Sequence, residues 1–196
     1  MKASIETAQK HFSAGDLPAA RRACQEVLEQ SPDNVEALHL SGVIEMQVGN
    51  AAAAIAPLRR AVQLDATRAS AWNHLGVAHA GTGRFDEATA AFSRALELDG
   101  KLADAHYNLA LAQRQFGRGD EALASLKRAV ELRPDFAEAQ FNLANEYIER
   151  AMLGEAAASL QQAITARPSY DKARRNLAKV YLRLAKSATD IGDHPR

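Results

Sequence analysis

One cysteine, Cys24, stands in 196 residues. An internal disulfide and a thiolate zinc cluster are therefore impossible, which removes the secreted, cystine-stapled class and the common structural metal sites. Aromatic side chains are few, with six Phe, four Tyr and one Trp. Charge of one sign is not in excess: 24 Lys plus Arg meet 24 Asp plus Glu, so bulk electrostatics draws the chain neither to nucleic acid nor to an acidic membrane surface. No window approaches 18 uncharged apolar residues, and the opening MKASIETAQKHFSAGDLPAA has no continuous apolar stretch of the signal-peptide kind. These absences predict a soluble, cytoplasmic protein with no nucleic-acid partner and no membrane insertion.

What is abundant is alanine. The chain has 42 Ala, and 47% of its residues are hydrophobic, against 11 Gly and six Pro. Ala has the best helix propensity and lets two backbones approach closely, so the composition favours packed helices over sheet. The alanines are also periodic. At a spacing of 34 the chain matches itself without an insertion, giving units 1–34, 35–68, 69–102, 103–136 and 137–170, and 171–188 repeats the first half of a sixth. One column reads Ala3, Ala37, Ala71, Ala105, Ala139, Ala173; a second reads Ala20, Ala54, Ala88, Ala122, Ala156; a third reads Gly15, Gly49, Gly83, Gly117 and then Ala151. Each unit divides into two amphipathic helices, the first closing near the Gly column and the second near Pro32, Ala66, Gly100, Pro134 or Pro168. Pro18 suits a helix start, whereas Pro57 falls inside a second helix and predicts a kink or a late start there.

The third unit carries Trp72, Leu75, Gly76, Gly83, Phe85, Ala88, Phe92 and Ala95, a set that resembles the signature of the tetratricopeptide repeat. The resemblance covers nearly the whole chain; Thr7 and Ser41 replace the Leu of the first helix, and Ala66 and Gly100 the closing Pro. It implies an all-α fold: a right-handed superhelical solenoid of helix-turn-helix units over 1–188, closed by a capping helix at 171–188 and followed by a flexible tail at 189–196. A single hairpin cannot bury its apolar face, so stacking on neighbours makes the core. In the capping helix Leu177, Tyr181 and Leu184 are expected to dock and the other faces to be charged. The weakly matching first unit raises the prospect that Ile5, Phe12 and Leu17 stay uncovered.

The resemblance also implies a concave groove lined by the first helix of each unit. Aligned by unit, one inner row reads Leu40, His74, Asn108, Asn142, Asn176. The next reads His39, Asn73, Tyr107, Phe141, Arg175, and a third Val43, Val77, Leu111, Asn145, Lys179. An Asn amide both donates and accepts, so a ladder of them can satisfy the backbone of an extended peptide without reading its side chains. Such a ladder is similar to that of the peptide-binding repeats of O-linked N-acetylglucosamine transferase. Tyr107 and Phe141 are candidates for side-chain pockets, because aromatic residues give large contact area at low entropy cost; Val and Leu of the rows serve equally well as core. The candidate peptide groove is thus Asn73, His74, Tyr107, Asn108, Phe141, Asn142, Asn145 and Asn176. Lys172, Arg175, Lys179 and Arg183 share a helix face and form a candidate carboxylate or anion site.

Within the family, the dicarboxylate clamp for chaperone tails can be tested by position. Asn142 and Lys172 fit it, but Tyr107, Leu111 and Asn176 stand where Lys, Asn and Arg are required, so that activity is not assigned. Cys24 falls in an apolar column and reads as a buried small hydrophobe. His74 and His79 are five apart, a poor match to helical metal pairing, and no GxxxxGK[ST], GxSxG or HExxH occurs. The expectation is a noncatalytic interaction adaptor without cofactor or metal, binding an extended segment of a partner protein. Two alternatives are the substrate-recruiting arm of a glycosyltransferase or sulfotransferase whose catalytic part lies elsewhere, and a scaffold that self-associates through the solenoid ends.

Overall fold

A computed structural model describes residues 4–192, with side chains to Ser187. The described residues form eleven α-helices and no strand: α1 (Ile5–Ser13), α2 (Leu17–Gln30), α3 (Val35–Gln47), α4 (Ala51–Leu64), α5 (Ala69–Gly81), α6 (Phe85–Leu98), α7 (Ala103–Gln115), α8 (Gly119–Leu132), α9 (Ala137–Glu149), α10 (Leu153–Ala166) and α11 (Asp171–Gly192). Each first helix ends two residues before its Gly-column residue, and each second helix two residues before its closing Pro, Ala or Gly. The turns require a left-handed residue, supplied by Gly15, Gly49, Gly83 and Gly117 and, at the fifth, by Ala151 with φ 58°.

Helix starts differ along the chain. The side chains of Ser4, Asp16, Asn34 and Asn50 accept the backbone N–H three residues on, at the starts of α1 to α4, and each such cap is worth about 1 kcal/mol. Helices α5, α6, α8, α9 and α10 have no side-chain cap bond, so their stability comes from packing. Pro57 does not delay or interrupt its helix: α4 starts at Ala51 behind Asn50 and continues to Leu64. The one bond forgone, to the Ala53 carbonyl, is outweighed by burial of Ala54, Ile55, Leu58, Ala61 and Val62 on the same helix.

Contacts divide the chain into two compact units, Met1–Gln115 and Phe116–Arg196, a boundary inside the fourth repeat, where periodicity alone suggests one continuous domain. In the first unit Ala8, Ala20, Ala23, Cys24 and Ile44 make one core cluster, against which Ile5, Phe12 and Leu17 pack. Those three residues are therefore half-buried, because α1 lies against both α2 and α3. A second cluster gathers Leu58, Val62 and Leu75, with Trp72 beside it. Phe92, 1% exposed, anchors a third. Close approach sets two glycines here: a Cβ on Gly42 would stand 2.4 Å from Leu58 Cγ, and one on Gly76 2.5 Å from Phe92 Cε1.

In the second unit the core includes Leu126, Leu143, Leu160, Leu177 and Val180. A buried carboxylate, Glu146, 1% exposed, is held by Arg150 Nη1 at 2.6 Å, while Arg150 Nη2 reaches Asp120 at 3.0 Å. Helix α11 continues to Gly192, past residue 188, because SATDIG carries no helix breaker before its glycine. Of the expected tail only 189–192 is described, and it is helical; 193–196 lie outside the described residues. Leu177 docks as expected, but Tyr181 is 53% exposed.

Candidate functional site

In the first unit the inner helices α3, α5 and α7 adjoin one another in turn. Their polar side chains meet on a diagonal. His39 Nε2 lies 2.7 Å from His74 Nδ1, and Asn108 Nδ2 donates to Asn73 Oδ1 at 3.2 Å. Both links join positions 35 apart, one more than the repeat, so residues of adjoining rows face each other. Between two imidazole nitrogens at that distance one must donate and the other accept, which is incompatible with both rings being charged. Burial lowers the His39 pKa to about 4, helped by His74 and Arg68. Burial also lowers that of His74, against the opposing pull of Asp104. This stretch of wall is neutral imidazole and amide.

The sequence reading has each Asn turning its amide to a ligand. Instead Asn73 is buried at 9% exposure, and its carbonyl oxygen is committed to Asn108. Asn108 is half-buried and donates through its nitrogen, which leaves its own Oδ1 as the acceptor on this wall. It also lines a cavity of about 340 Å³ with Val77, Ala80, Gly81, Phe85, Phe92, Leu111, Ala112 and Gln115. A second hollow of about 310 Å³ is lined by Leu111, Arg114 and Gln115. The apolar pocket is thus built on Val77 and Leu111, which periodicity could equally assign to core, and on Phe85 and Phe92, which read only as repeat signature. Tyr107 is half-buried but is not among the residues lining the pocket. The pairing of a bare Gly76 with a large Phe92 was the available signal that helices α5 and α6 approach closely here.

In the second unit the candidate residues are deployed differently. Asn176 Nδ2 donates to Asn145 Oδ1 at 3.1 Å, a span of 31 positions, while Asn142 Nδ2 donates within its own helix to the Glu138 carbonyl at 2.9 Å. Phe141 packs on Tyr170 with ring centroids 5.1 Å apart. The Arg167 guanidinium lies over the Tyr170 ring at 5.0 Å and bonds Glu138, holding that carboxyl below its usual range. The three Asn of one row therefore have three different environments. Lys172, Arg175, Lys179 and Arg183 are all exposed on α11.

Cys24 is buried, and desolvation pushes its thiol up to about 11, so it is a core residue. Among the described residues no three His, Cys, Asp or Glu converge as a metal set, and no helix is long and apolar enough to cross a membrane.

Comparison with known proteins agrees with this geometry. Tetratricopeptide repeat models match residues 5–69, 67–135 and 137–170. The crystal structure of MamA is similar at 30% identity and a TM-score of 0.72, over 84% of this chain and 96% of that one. Two others share the fold. YrrB, described as a TPR protein with an unusual peptide-binding site, has 21% identity and a TM-score of 0.69 over 88% of this chain and 89% of its own. TTC0263, a thermophilic TPR protein of Thermus thermophilus, has 23% identity and a TM-score of 0.70 over 91% of this chain and 97% of its own. No curated protein sequence matches. A 34-residue period, paired helices closed by left-handed turns, and three matching sequence models covering most of the chain place it in the tetratricopeptide repeat family, as an all-α solenoid.

Proposed function

We propose that the chain is a noncatalytic adaptor that holds an extended segment of a partner protein against the inner helices of its first unit. One large apolar side chain of that segment enters the pocket walled by Val77, Phe92 and Leu111, and Asn108 Oδ1 accepts a backbone N–H beside it. The pocket carries this reading: about 340 Å³ of mainly apolar wall with the Asn108 amide among its lining, the combination of apolar enclosure and few polar groups that small ligand sites use. Burying a Leu or Phe side chain there contributes about 1.5–3 kcal/mol, and ordering an extended segment offsets part of it. The fold shared with YrrB, described as having a peptide-binding site, is consistent with this use.

Selection from a random peptide library tests it. Wild type is expected to enrich peptides with a recurrent Leu, Ile, Phe or Met that perturb the NMR signals of Val77, Asn108 and Leu111. Leu111→Lys should abolish that binding, and Asn108→Ala should weaken it about tenfold, the equivalent of one lost hydrogen bond. Peptides without an apolar anchor, or binding unchanged in Leu111→Lys, would contradict the assignment.

A further inference from the structure

Helix α11 has three faces where a cap needs two. Ala173, Leu177 and Val180 are buried, and Lys172, Arg175, Lys179 and Arg183 are exposed. Between these faces run Ala178, Tyr181, Leu182 and Ala185, spaced as one helical stripe, all exposed, with Leu182 at 66% and Tyr181 at 53%. The repeat shows what such a stripe is for. The residue 34 before Ala178 is Ala144, 0% exposed, and 34 before Tyr181 is Tyr147, 9% exposed, on α9, which packs against α10. In the first unit the same column holds Ala8 and Ala110, both 0% exposed, and Gly42 and Gly76, which lie against Leu58 of α4 and Phe92 of α6. The stripe on α11 is therefore continuous in register with an interface that earlier first helices make with a following helix.

We propose that this face docks an acidic amphipathic helix of a partner protein, which seats a large apolar side chain over Ala178. The apolar requirement follows from Leu58 and Phe92 in the same column. The charge requirement follows from the sequence of α11, where Lys172, Arg174, Arg175, Lys179, Arg183 and Lys186 stand against only Asp171 and Asp190, although the chain as a whole is neutral. Three of the five helices that follow first helices elsewhere also open on acids, Asp86 and Glu87 in α6, Asp120 and Glu121 in α8, Glu155 in α10, whereas α2 and α4 do not. A second copy pairing α11 with α11 would set two cationic helices side by side, which like-charge repulsion opposes.

The probe is a 14-residue peptide of sequence FDEATAAFSRALEL, identical to α6, titrated to about millimolar concentration, where weak complexes are still populated, against isotope-labelled full chain. Expected are NMR shifts confined to residues 174–186. Binding should weaken several-fold as salt rises from about 0.05 to 0.5 M and should be lost in Leu182→Lys. Because Leu182 is exposed, that variant keeps the wild-type helical circular dichroism, so its loss of binding is not unfolding. A peptide carrying Asp86→Lys and Glu87→Lys should bind far more weakly. Absence of shifts at α11, shifts at the inner wall instead, equal binding of the charge-reversed peptide, or a dimer in sedimentation that Leu182→Lys abolishes would each overturn the proposal. The last outcome would assign the face to a second copy. Failure here leaves the Leu111 pocket test untouched, since the two sites share no residue.

Discussion

The two units are built from the same repeat yet keep their polar groups in different ways. The first holds neutral pairs, His39 with His74 and Asn73 with Asn108, between successive inner helices. The second also has a neutral pair, Asn145 with Asn176, but sets a charged network around a buried carboxylate, Glu146 with Arg150 and Asp120, and a further ion pair of Glu138 with Arg167. Two crossings of the first unit also use glycine, Gly42 and Gly76, at a column position where Ala8 and Ala110 in the same unit and Ala144 and Ala178 in the second carry a methyl. One backbone plan thus tolerates two electrostatic solutions, and acid or a single methyl group should separate them.

The largest difference is expected from Gly76→Ala. Its new Cβ would collide with Phe92, which is 1% exposed and packed with Ala88 and Ala112, so the ring must shift, at the expense of these contacts or of the pocket it lines. The expected loss is about 1–3 kcal/mol, read as a lowered urea midpoint, with hydrogen exchange accelerating across α5 and α6. Ala144→Gly in the second unit makes no clash and should cost only about 1 kcal/mol, mainly from backbone entropy. Equal losses would mean that the glycines mark no special closeness.

Acid comes next. His39 titrates at about 4 when folded against an ordinary 6.5, so below pH 6.5 the unfolded chain takes up a proton that the folded chain refuses. The stability this contributes is fully present above pH 6.5 and is lost as pH falls from there toward 4. Burial is incomplete, so after screening the loss is of order 2 kcal/mol. The groups facing the pair are Arg68 and Asp104. His39→Gln should reduce the dependence of the urea midpoint between about pH 6.5 and 4.5, the remainder coming from His74 and His79, which burial also lowers. The second unit's only histidine is His194, outside the described residues, and hydrogen exchange over α9 and α10 should respond far less. A profile unchanged by the substitution would show that the pair does not carry the acid sensitivity.

Breaking the charged solution should cost less than a buried pair usually does. Glu146→Gln removes the buried carboxylate but leaves an amide oxygen for Arg150, whose guanidinium still reaches Asp120 and is itself 25% exposed. Loss of about 1–2 kcal/mol is expected, growing with Glu146→Leu, which offers no acceptor at all. A thermal midpoint unchanged in both variants would mean that the buried charge contributes nothing to the second unit.

How much of this was legible beforehand follows from what periodicity encodes. Column identity sets which residues are small, apolar or turn-forming, so the helix positions and the Leu177 docking could be read. It does not encode the rotation from one hairpin to the next. That rotation pairs His39 with His74 and Asn73 with Asn108 at a spacing of 35 and Asn145 with Asn176 at 31, so rows aligned by unit do not tell which amides stay available. Tyr181 failed for a related reason. Its column is buried only where a second helix follows, as at Tyr147.

The smallest effect concerns Ala151, and it runs the other way. Four of the five hairpin turns use Gly at the left-handed position; Ala151 adopts φ 58° there with its N–H bonded to the Ile148 carbonyl at 3.1 Å. A Cβ in that region costs about 1–2 kcal/mol, and Gly relieves it while adding somewhat less in unfolded-chain entropy. Ala151 is exposed, so no packing is lost with the methyl. Ala151→Gly should therefore stabilise the second unit by about 0.5–1 kcal/mol, and Gly117→Ala, with φ 68° and open space around its Cβ, should destabilise by a similar amount. Because neither site touches the inner wall or the exposed stripe of α11, both variants should bind peptide as wild type does. A lower thermal midpoint for Ala151→Gly would mean that the fifth turn draws on its methyl in a way the other four turns do not.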